Sequence, residues 1–142
     1  AESTFAKQLA MIEAKLIPPV VKTGNLDSLR TYADVRDAVR AYYLLLTKDP
    51  IPGAYYNIGG DHVVKIKDVL NTLINISGLK NIKIETDPAR LRPIDADLQV
   101  PDTSKFSNHT GWKPQIAFNK TMEDLYDYWR DEIKLGKVPI NR

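Results

Sequence analysis

Apolar residues recur at helical spacing through most of this chain, and this pattern limits what the chain can fold into. The pattern predicts a first helix that is capped by Ser3 or Thr4, is ended by Pro18-Pro19, and has Phe5, Leu9, Ile12 and Leu16 on its apolar face. Further helices are predicted after a cap at Asp34, over residues 66–76 and 103–110, and after a cap at Asn119. The residues predicted to face inward are Val69, Leu70, Leu73 and Ile76 in the helix over 66–76, and Met122, Leu125, Tyr126 and Trp129 in the last helix. Short runs at residues 20–22, 28–33, 55–58 and 81–85 have the character of strands.

The predicted strands are too few and too short for a doubly wound parallel sheet, which needs several βαβ units. The chain has 142 residues, which is the size of one domain. We therefore predict an α/β fold in the form of a small, helix-rich satellite domain with a few short strands.

The second predicted helix carries a long apolar stripe that we expect to face the core. Its inward residues are predicted to be Val35, Ala38, Val39, Tyr42, Tyr43 and Leu46. Trp112 follows a helix stop at Gly111 and is expected to pack back into the core. Asp34 and Asp37, at the start of the second helix, are expected to complement its dipole.

The composition argues against several classes of protein. The net charge is +2 with acidic and basic residues interleaved, so nothing indicates nucleic-acid binding. No apolar run approaches the roughly 20 residues of a membrane span, and the polar first residues do not resemble a signal peptide. The chain has no cysteine, and these features together favour a cytoplasmic protein.

The residues that usually carry catalysis or cofactor binding do not occur in a known pattern. No G-x-G-x-x-G turn is present, and none of the seven tyrosines has a lysine four residues later. His62 and His109 stand alone, without a second ligand at metal spacing. We therefore predict that the chain by itself binds no NAD or NADP, holds no metal and is inactive.

Residues 91–114 are irregular and rich in residues with special properties. Arg92 precedes Pro93, which biases Arg92 toward an extended backbone. An arginine held on such a segment offers a planar fork that suits a phosphate or a carboxylate. Asp95 can accept hydrogen bonds from sugar hydroxyls. The segment therefore predicts a site for a phosphate and a sugar.

Several segments together resemble one enzyme family. Residues 24–37 read GNLDSLRTYADVRD, which resembles the G-N-L-x-x-x-R-D-[FW]-x-x-V-x-D segment of GDP-mannose 4,6-dehydratases and GDP-4-keto-6-deoxymannose reductases. Residues 92–95 look like the R-P-x-E of these enzymes, and residues 110–114 look like their L-G-W-x-P. The family consists of extended short-chain dehydrogenase/reductase enzymes of the NAD-dependent epimerase/dehydratase superfamily.

The resemblance implies which residues would bind a substrate. Arg30 and Arg92 would hold the diphosphate of a GDP-sugar, and Asp95 would accept from the ribose hydroxyls. The segment 20–25, with Lys22 and Asn25, would flank the base.

Two departures weaken the resemblance locally. Thr31 stands where the family has Asp, and Asp95 stands where it has the longer Glu. The shorter Asp95 side chain would loosen a contact with the ribose.

The resemblance also implies a role for the whole chain. Residues 1–142 would be the substrate-binding, C-terminal domain of an extended Rossmann-type enzyme, without its Rossmann cofactor domain. The intact enzyme would use NAD or NADP, and we favour the reductase over the dehydratase because no longer insertion precedes Arg92. We expect a GDP-sugar and the N-terminal Rossmann half as partners, and a homo-oligomer when the enzyme is intact.

Two further expectations follow from this interpretation. The surface that meets the Rossmann half should be apolar, with the first helix and residues 20–32 contributing to it. The alternative interpretation is a non-catalytic module, which would be either a nucleotide-sugar sensor or a protein-interaction domain.

Overall fold

The computed structural model of the chain describes residues 1–91 and 98–138. Its helices are α1 (Glu2–Glu13), α2 (Val35–Thr47), α3 (Ile66–Ser77), α4 (Ser104–Thr110) and α5 (Phe118–Lys134), and a 3-10 turn covers Pro88–Arg90. Its strands are β1 (Val20–Thr23), β2 (Leu29–Tyr32), β3 (His62–Lys65), β4 (Lys83–Thr86) and β5 (Leu98–Gln99). The predicted helix-rich α/β fold with short strands is confirmed.

The strands form two small sheets. Strands β1 and β4 pair in parallel, and a second sheet has the order β3-β2-β5. Strand β2 runs antiparallel to β3 and parallel to β5. Strand β2 is therefore the central strand of the second sheet, with a neighbour on each side.

The main core lies where α1, α3 and α5 pack together. Phe5 and Leu9 of α1 are buried there with Leu70 of α3 and Met122 of α5. The helical spacing of apolar residues predicted the inward faces of these three helices. Leu16, which was predicted to continue the α1 stripe, lies beyond the end of the helix and is exposed.

A second, smaller core forms around Trp112. Trp112, Phe106 of α4 and Ala41 of α2 are buried together, and the Tyr56 ring packs edge-on against Phe106 at 5.4 Å. The prediction that Trp112 belongs to the core is confirmed. Gly111 ends α4 in the left-handed conformation, which turns the chain so that Trp112 can pack back.

The carboxylate of Asp37 connects this second core to the start of α5. One carboxylate oxygen accepts the backbone N–H groups of Gln115 and Ile116, each at 2.9 Å, and the other accepts from Arg40 at 2.9 Å. The carbonyl of Asp37 accepts the indole N–H of Trp112 at 3.1 Å. Asp37 is therefore a buried acceptor for the 112–116 loop rather than only a complement to the helix dipole.

Asp34 caps α2 as predicted, and it also reaches α5. Its carboxylate accepts the backbone N–H of Arg36 and a two-pronged interaction from the Arg36 guanidinium, with bonds of 2.7 to 2.9 Å. The Thr121 hydroxyl donates to the same carboxylate at 2.8 Å, and Arg36 extends to Asp124 at 2.8 Å. The start of α2 is thus fixed to the first turns of α5.

Two other predicted caps are wrong. α1 begins at Glu2, before Ser3 and Thr4, and α5 begins at Phe118, before Asn119. Neither helix has a side chain that accepts a hydrogen bond at its first turn. In both cases packing of the apolar face extends the helix past the residue that the cap pattern favoured.

The strand predictions were partly wrong. The predicted strand at residues 55–58 pairs with no described strand, and its contacts with residues 102–105 are made through the side chains of Asn57 and Lys105. Strands β3 and β5 were not predicted, because both are short and mostly exposed and so carry no alternating apolar pattern.

The predicted inward face of α2 is also wrong. Its stripe of Val35, Val39, Tyr42, Tyr43 and Leu46 is 59% to 75% exposed. The helix is held through its opposite side, where Asp37 and Ala41 are buried. A charged residue on the buried side concealed the true orientation, since periodicity alone assigns the apolar side to the core.

The position of the apolar surface therefore differs from the expectation. The apolar face of α1 is buried in the main core, and the largest described row of exposed apolar side chains runs along α2. Tyr55 and Ile51, in the loop after α2, are exposed as well.

Replacement of Asp37 by Ala should lower the free energy of unfolding by about 2–4 kcal/mol, because two backbone N–H groups lose their acceptor. Urea unfolding followed by circular dichroism would measure this. The matched control is Asp131→Ala, since the Asp131 side chain is 70% exposed; its effect should stay within about 0.5 kcal/mol.

The stabilisation by the Asp37 carboxylate should also depend on pH. Burial opposes ionisation of Asp37, but hydrogen bonds from Ile116, Arg40 and Gln115 outweigh it, so the pKa of this carboxyl is lowered. Its stabilising contribution is present above the unfolded pKa of about 3.9 and is lost as the pH falls toward the folded pKa. The difference between wild type and Asp37→Ala should therefore shrink in acid, and a constant difference would contradict this role.

Candidate functional site

A cleft of about 500 Å³ lies between the start of α1 and the sheet β3-β2-β5. Three separate parts of the chain form its walls. The first is the start of α1, and the second runs from the G-N-L turn at residues 24–26 to the end of β2. The third consists of Arg90 and Gln99, which stand on either side of the R-P-x-E motif in the sequence. The described residues that line it are Ala1, Glu2, Thr4, Phe5, Gly24, Asn25, Ser28, Arg30, Thr31, Tyr32, Ile66, Arg90 and Gln99.

Strand β2 supplies the floor of the cleft. Arg30 and Tyr32 are two residues apart on this strand, so their side chains leave from the same face. Gln99 of β5 is the register partner of Arg30, and it lines the cleft too. The central position of β2 fixes the backbone of Arg30 from both sides.

The G-N-L turn that precedes β2 is held by its own side chains. The Asn25 side-chain oxygen accepts the backbone N–H of Asp27 at 2.9 Å, and its amide donates to the Ser28 hydroxyl at 3.1 Å. The carbonyl of Ser28 accepts the backbone N–H of Ile66 at 3.1 Å. The turn is thereby attached to the first turn of α3.

Gly24 has a steric reason to be glycine. A Cβ atom at this position would lie 2.4 Å from the carbonyl oxygen of Arg90, which is well inside contact distance. The G-N-L turn and the chain that leads into the R-P segment therefore touch through backbone atoms. This close approach brings Arg90 to the cleft that Arg30 lines.

Of the five predicted site residues, three (Lys22, Asn25 and Arg30) are among the described residues. Arg30 and Asn25 line the cleft. Lys22 does not line it; the backbone of Lys22 exchanges hydrogen bonds of 2.9 and 3.1 Å with the Gln8 side chain. Arg92 and Asp95 lie outside the described residues.

Arg90 was not predicted from the sequence. It lines the cleft and forms an ion pair with Asp87 at 3.3 Å. The only signal in the sequence was its position two residues before Arg92. Its role depends on the contact with Gly24, which local sequence does not reveal.

Two arginines, Arg30 and Arg90, and one acidic residue, Glu2, line the cleft, so its charged side chains carry a net positive charge. Arg30 donates to the carbonyl of Leu29 at 2.8 Å, which helps to orient its guanidinium. Burial and the nearby Glu2 raise the pKa of Tyr32 to about 12, against an opposing effect of Arg30. The Tyr32 phenol therefore keeps its proton at neutral pH and can donate a hydrogen bond.

The side chains that line the cleft are mainly hydrogen-bond donors. Within residues 1–91 and 98–138, no three His, Asp or Glu side chains are grouped as metal ligands. Within the same residues, no helix has the length and apolarity to cross a membrane. A neutral phenol, guanidinium groups and amides fit binding of an anion better than acid–base chemistry.

Known structures share this architecture. A structure of RMD from Pseudomonas aeruginosa complexed with NADPH superposes with a TM-score of 0.83 at 24% identity, over 92% of this chain and 42% of that one. A UDP-glucuronic acid 4-epimerase from Bacillus cereus, in complex with UDP-glucuronic acid and NAD, superposes with a TM-score of 0.74 at 25% identity, over 90% of this chain and 40% of that one. The fold is that of the C-terminal portion of Rossmann-type short-chain dehydrogenase/reductase enzymes.

Sequence comparisons show which family of these enzymes the chain belongs to. The family model described as GDP-mannose 4,6 dehydratase matches residues 1–125, and the chain belongs to this family. It is 27% identical over 132 residues to the GDP-6-deoxy-D-mannose reductase of Pseudomonas aeruginosa, covering 93% of this chain and 43% of the reductase. It is 33% identical over 119 residues to the dTDP-glucose 4,6-dehydratase of Escherichia coli, covering 78% of this chain and 32% of that enzyme. The chain thus spans less than half the length of these relatives.

Replacement of Gly24 by Ala should destabilise the fold by about 1–3 kcal/mol, because the new methyl group forces two backbone segments apart. It should also shift the backbone amide signals of Arg90 and its neighbours. Chemical denaturation and amide NMR spectra of the variant would test both effects. Unchanged amide chemical shifts around Arg90 would contradict the backbone contact between Gly24 and Arg90.

Proposed function

We propose that this chain is the substrate-binding part of an NAD(P)-dependent sugar-nucleotide enzyme, either a GDP-4-keto-6-deoxymannose reductase or a GDP-mannose 4,6-dehydratase. A GDP-hexose is the proposed substrate. Its diphosphate binds in the cleft between α1 and β2. The observation that carries the proposal is the presence of Arg30 and Arg90 on one cleft, in a member of this family.

Charge is the physical basis of the proposal. A diphosphate carries about two negative charges at neutral pH, and each charge-assisted hydrogen bond to it contributes roughly 1.5–3 kcal/mol net. Arg30 is half-buried on the central strand of its sheet, where burial reduces screening by solvent. The guanidinium forks of two arginines suit the oxygens of a diphosphate.

Arg92 and Asp95 remain part of the proposal. Arg90 and Gln99, which stand in the sequence on either side of Arg92 and Asp95, both line the cleft with Arg30. On this basis we keep the assignment of Arg92 to the diphosphate and of Asp95 to the ribose.

The exposed stripe of α2 supports a larger intact protein. The stripe of Val35, Val39, Tyr42 and Leu46 repeats at intervals of four, three and four residues, which is the spacing of a helix that packs along its length. A row of such residues on a monomer surface marks an interface. We propose that this stripe, and not α1 or residues 20–32, packs against an N-terminal Rossmann half.

The cofactor and the assembly follow from this proposal. The Rossmann half would bind NAD or NADP and supply the acid and base, while this chain alone binds neither cofactor. The reductase is favoured over the dehydratase, since no longer insertion separates β4 from Arg92 and a reductase is among the relatives that cover most of the chain. We also propose that the intact enzyme is a homo-oligomer.

The exposed stripe gives the second candidate function some support as well. A protein-interaction module would present such a face to a separate partner protein. A free-standing nucleotide-sugar sensor would instead bind its ligand without any companion domain. The two experiments below distinguish these possibilities.

Replacement of Arg30 by Gln should weaken binding of GDP-mannose by roughly 10- to 100-fold, because the change removes a charge-assisted hydrogen bond to phosphate. The measurement is calorimetry on the full-length product of the gene that encodes this chain. Lys80→Gln is the matched control, because it removes the same charge at an exposed residue outside the cleft lining. Equal affinity of both variants, or no binding by the wild type, would overturn the proposal.

Replacement of Val39 by Glu should have opposite outcomes in two contexts. In the 142-residue chain, the residue is 59% exposed, so the free energy of unfolding should change by no more than about 0.5 kcal/mol. In the full-length gene product, the charge would be buried in the interface and should lower the unfolding temperature markedly. Tyr128→Glu is the control, an exposed aromatic on α5 that should respond alike in both contexts. Similar behaviour of Val39→Glu in both contexts would favour the interaction module.

A further inference from the structure

Tyr32 presents a hydroxyl group next to Arg30 in the cleft. The two residues leave β2 from the same face, with Cα atoms about 6.6 Å apart along the strand. Both residues line the cleft. A bound anion at the Arg30 guanidinium would therefore lie within reach of the Tyr32 side chain.

The Tyr32 ring is held in place by packing. Its centroid lies 5.8 Å from that of Phe118 at the start of α5, and the ring packs against the main core. Its register partner on β3 is His62, whose ring also contacts Phe118 at 5.1 Å. A fixed ring offers its hydroxyl in a preset position, so little side-chain entropy is lost when a ligand binds.

The Tyr32 hydroxyl is available to a ligand. Within the described residues it makes no hydrogen bond to another protein group, and no buried polar side-chain atom is left without a partner. The hydroxyl must therefore reach solvent, and Tyr32 lines the solvent-filled cleft.

We propose that the Tyr32 hydroxyl donates a hydrogen bond to the same phosphate group that Arg30 binds, and so helps to set the affinity for the nucleotide diphosphate. This inference rests on the proposed function. A phosphate oxygen accepts several donors at once, so a guanidinium and a phenol can share one group. The arginine supplies charge, and the phenol adds a directional neutral donor.

The chemistry of the phenol fits this role. Burial and the nearby Glu2 raise its pKa to about 12, so at neutral pH it brings a proton to the phosphate and no negative charge. In the family pattern quoted above, this position holds Phe or Trp, which pack in the same way but have no hydroxyl beside Arg30.

The test is a double-mutant cycle on the full-length gene product, with GDP-mannose as the probe in calorimetry. Tyr32→Phe keeps the ring packing and should weaken binding roughly 5- to 15-fold, the loss of one hydrogen bond to a charged acceptor. Tyr128→Phe, which alters an exposed tyrosine on α5, should bind like the wild type. Thermal unfolding of each variant shows whether the fold is intact.

The cycle also tests whether both side chains contact one phosphate. If they do, the double variant Arg30→Gln/Tyr32→Phe should lose clearly less than the product of the two single losses. Wild-type affinity in Tyr32→Phe, or independent losses in the double variant, would overturn this inference alone if Arg30→Gln still weakens binding. Failure of Arg30→Gln as well, or no binding by the wild type, would overturn the proposed function together with it.

Discussion

The buried carboxylate of Asp37 accepts two backbone N–H groups from the 112–116 loop and one guanidinium hydrogen bond from Arg40. Without it, the backbone N–H groups of Gln115 and Ile116 would lose their acceptor, while the backbone carbonyl of Asp37 would still accept the Trp112 indole N–H. The loop also sets where α5 begins, and α5 closes the main core against α1 and α3. Together with the contacts of Asp34 and Arg36 to α5, this carboxylate therefore joins the two cores of the chain. Two segments of the family pattern, V-x-D at residues 35–37 and G-W-x-P at residues 111–114, therefore contact each other, because Asp37 bonds to Trp112 and to the backbone just after Pro114.

Much of the helical architecture follows from local rules. The inward faces of α1, α3 and α5 were predictable, because apolar residues there follow helical spacing and are buried on one side. The same rule assigned the wrong face of α2 to the core, because the residue that anchors this helix is the acid Asp37 and the apolar stripe faces solvent. Strands β3 and β5 could not be predicted, since each depends on pairing with β2 and has little apolar pattern.

The candidate site was predictable where a motif marks it and not where the fold creates it. Arg30 and Asn25 stand in the G-N-L segment, and both line the cleft. Arg90 reaches the same cleft only because Gly24 lets two backbone segments touch. Tyr32 differs from a Phe by one hydroxyl, and only the strand geometry reveals that this hydroxyl shares a face with Arg30.

The parallel pairing of β5 with β2 extends over only two residues, Leu98 and Gln99, both of which are exposed. The four-residue pairing of β1 with β4 is longer and includes the fully buried Val21. Short, solvent-exposed ladders open at a small fraction of the global unfolding free energy. We therefore expect the backbone amides of the β5 wall of the cleft to exchange with solvent faster than those of β1, β4 and the two cores.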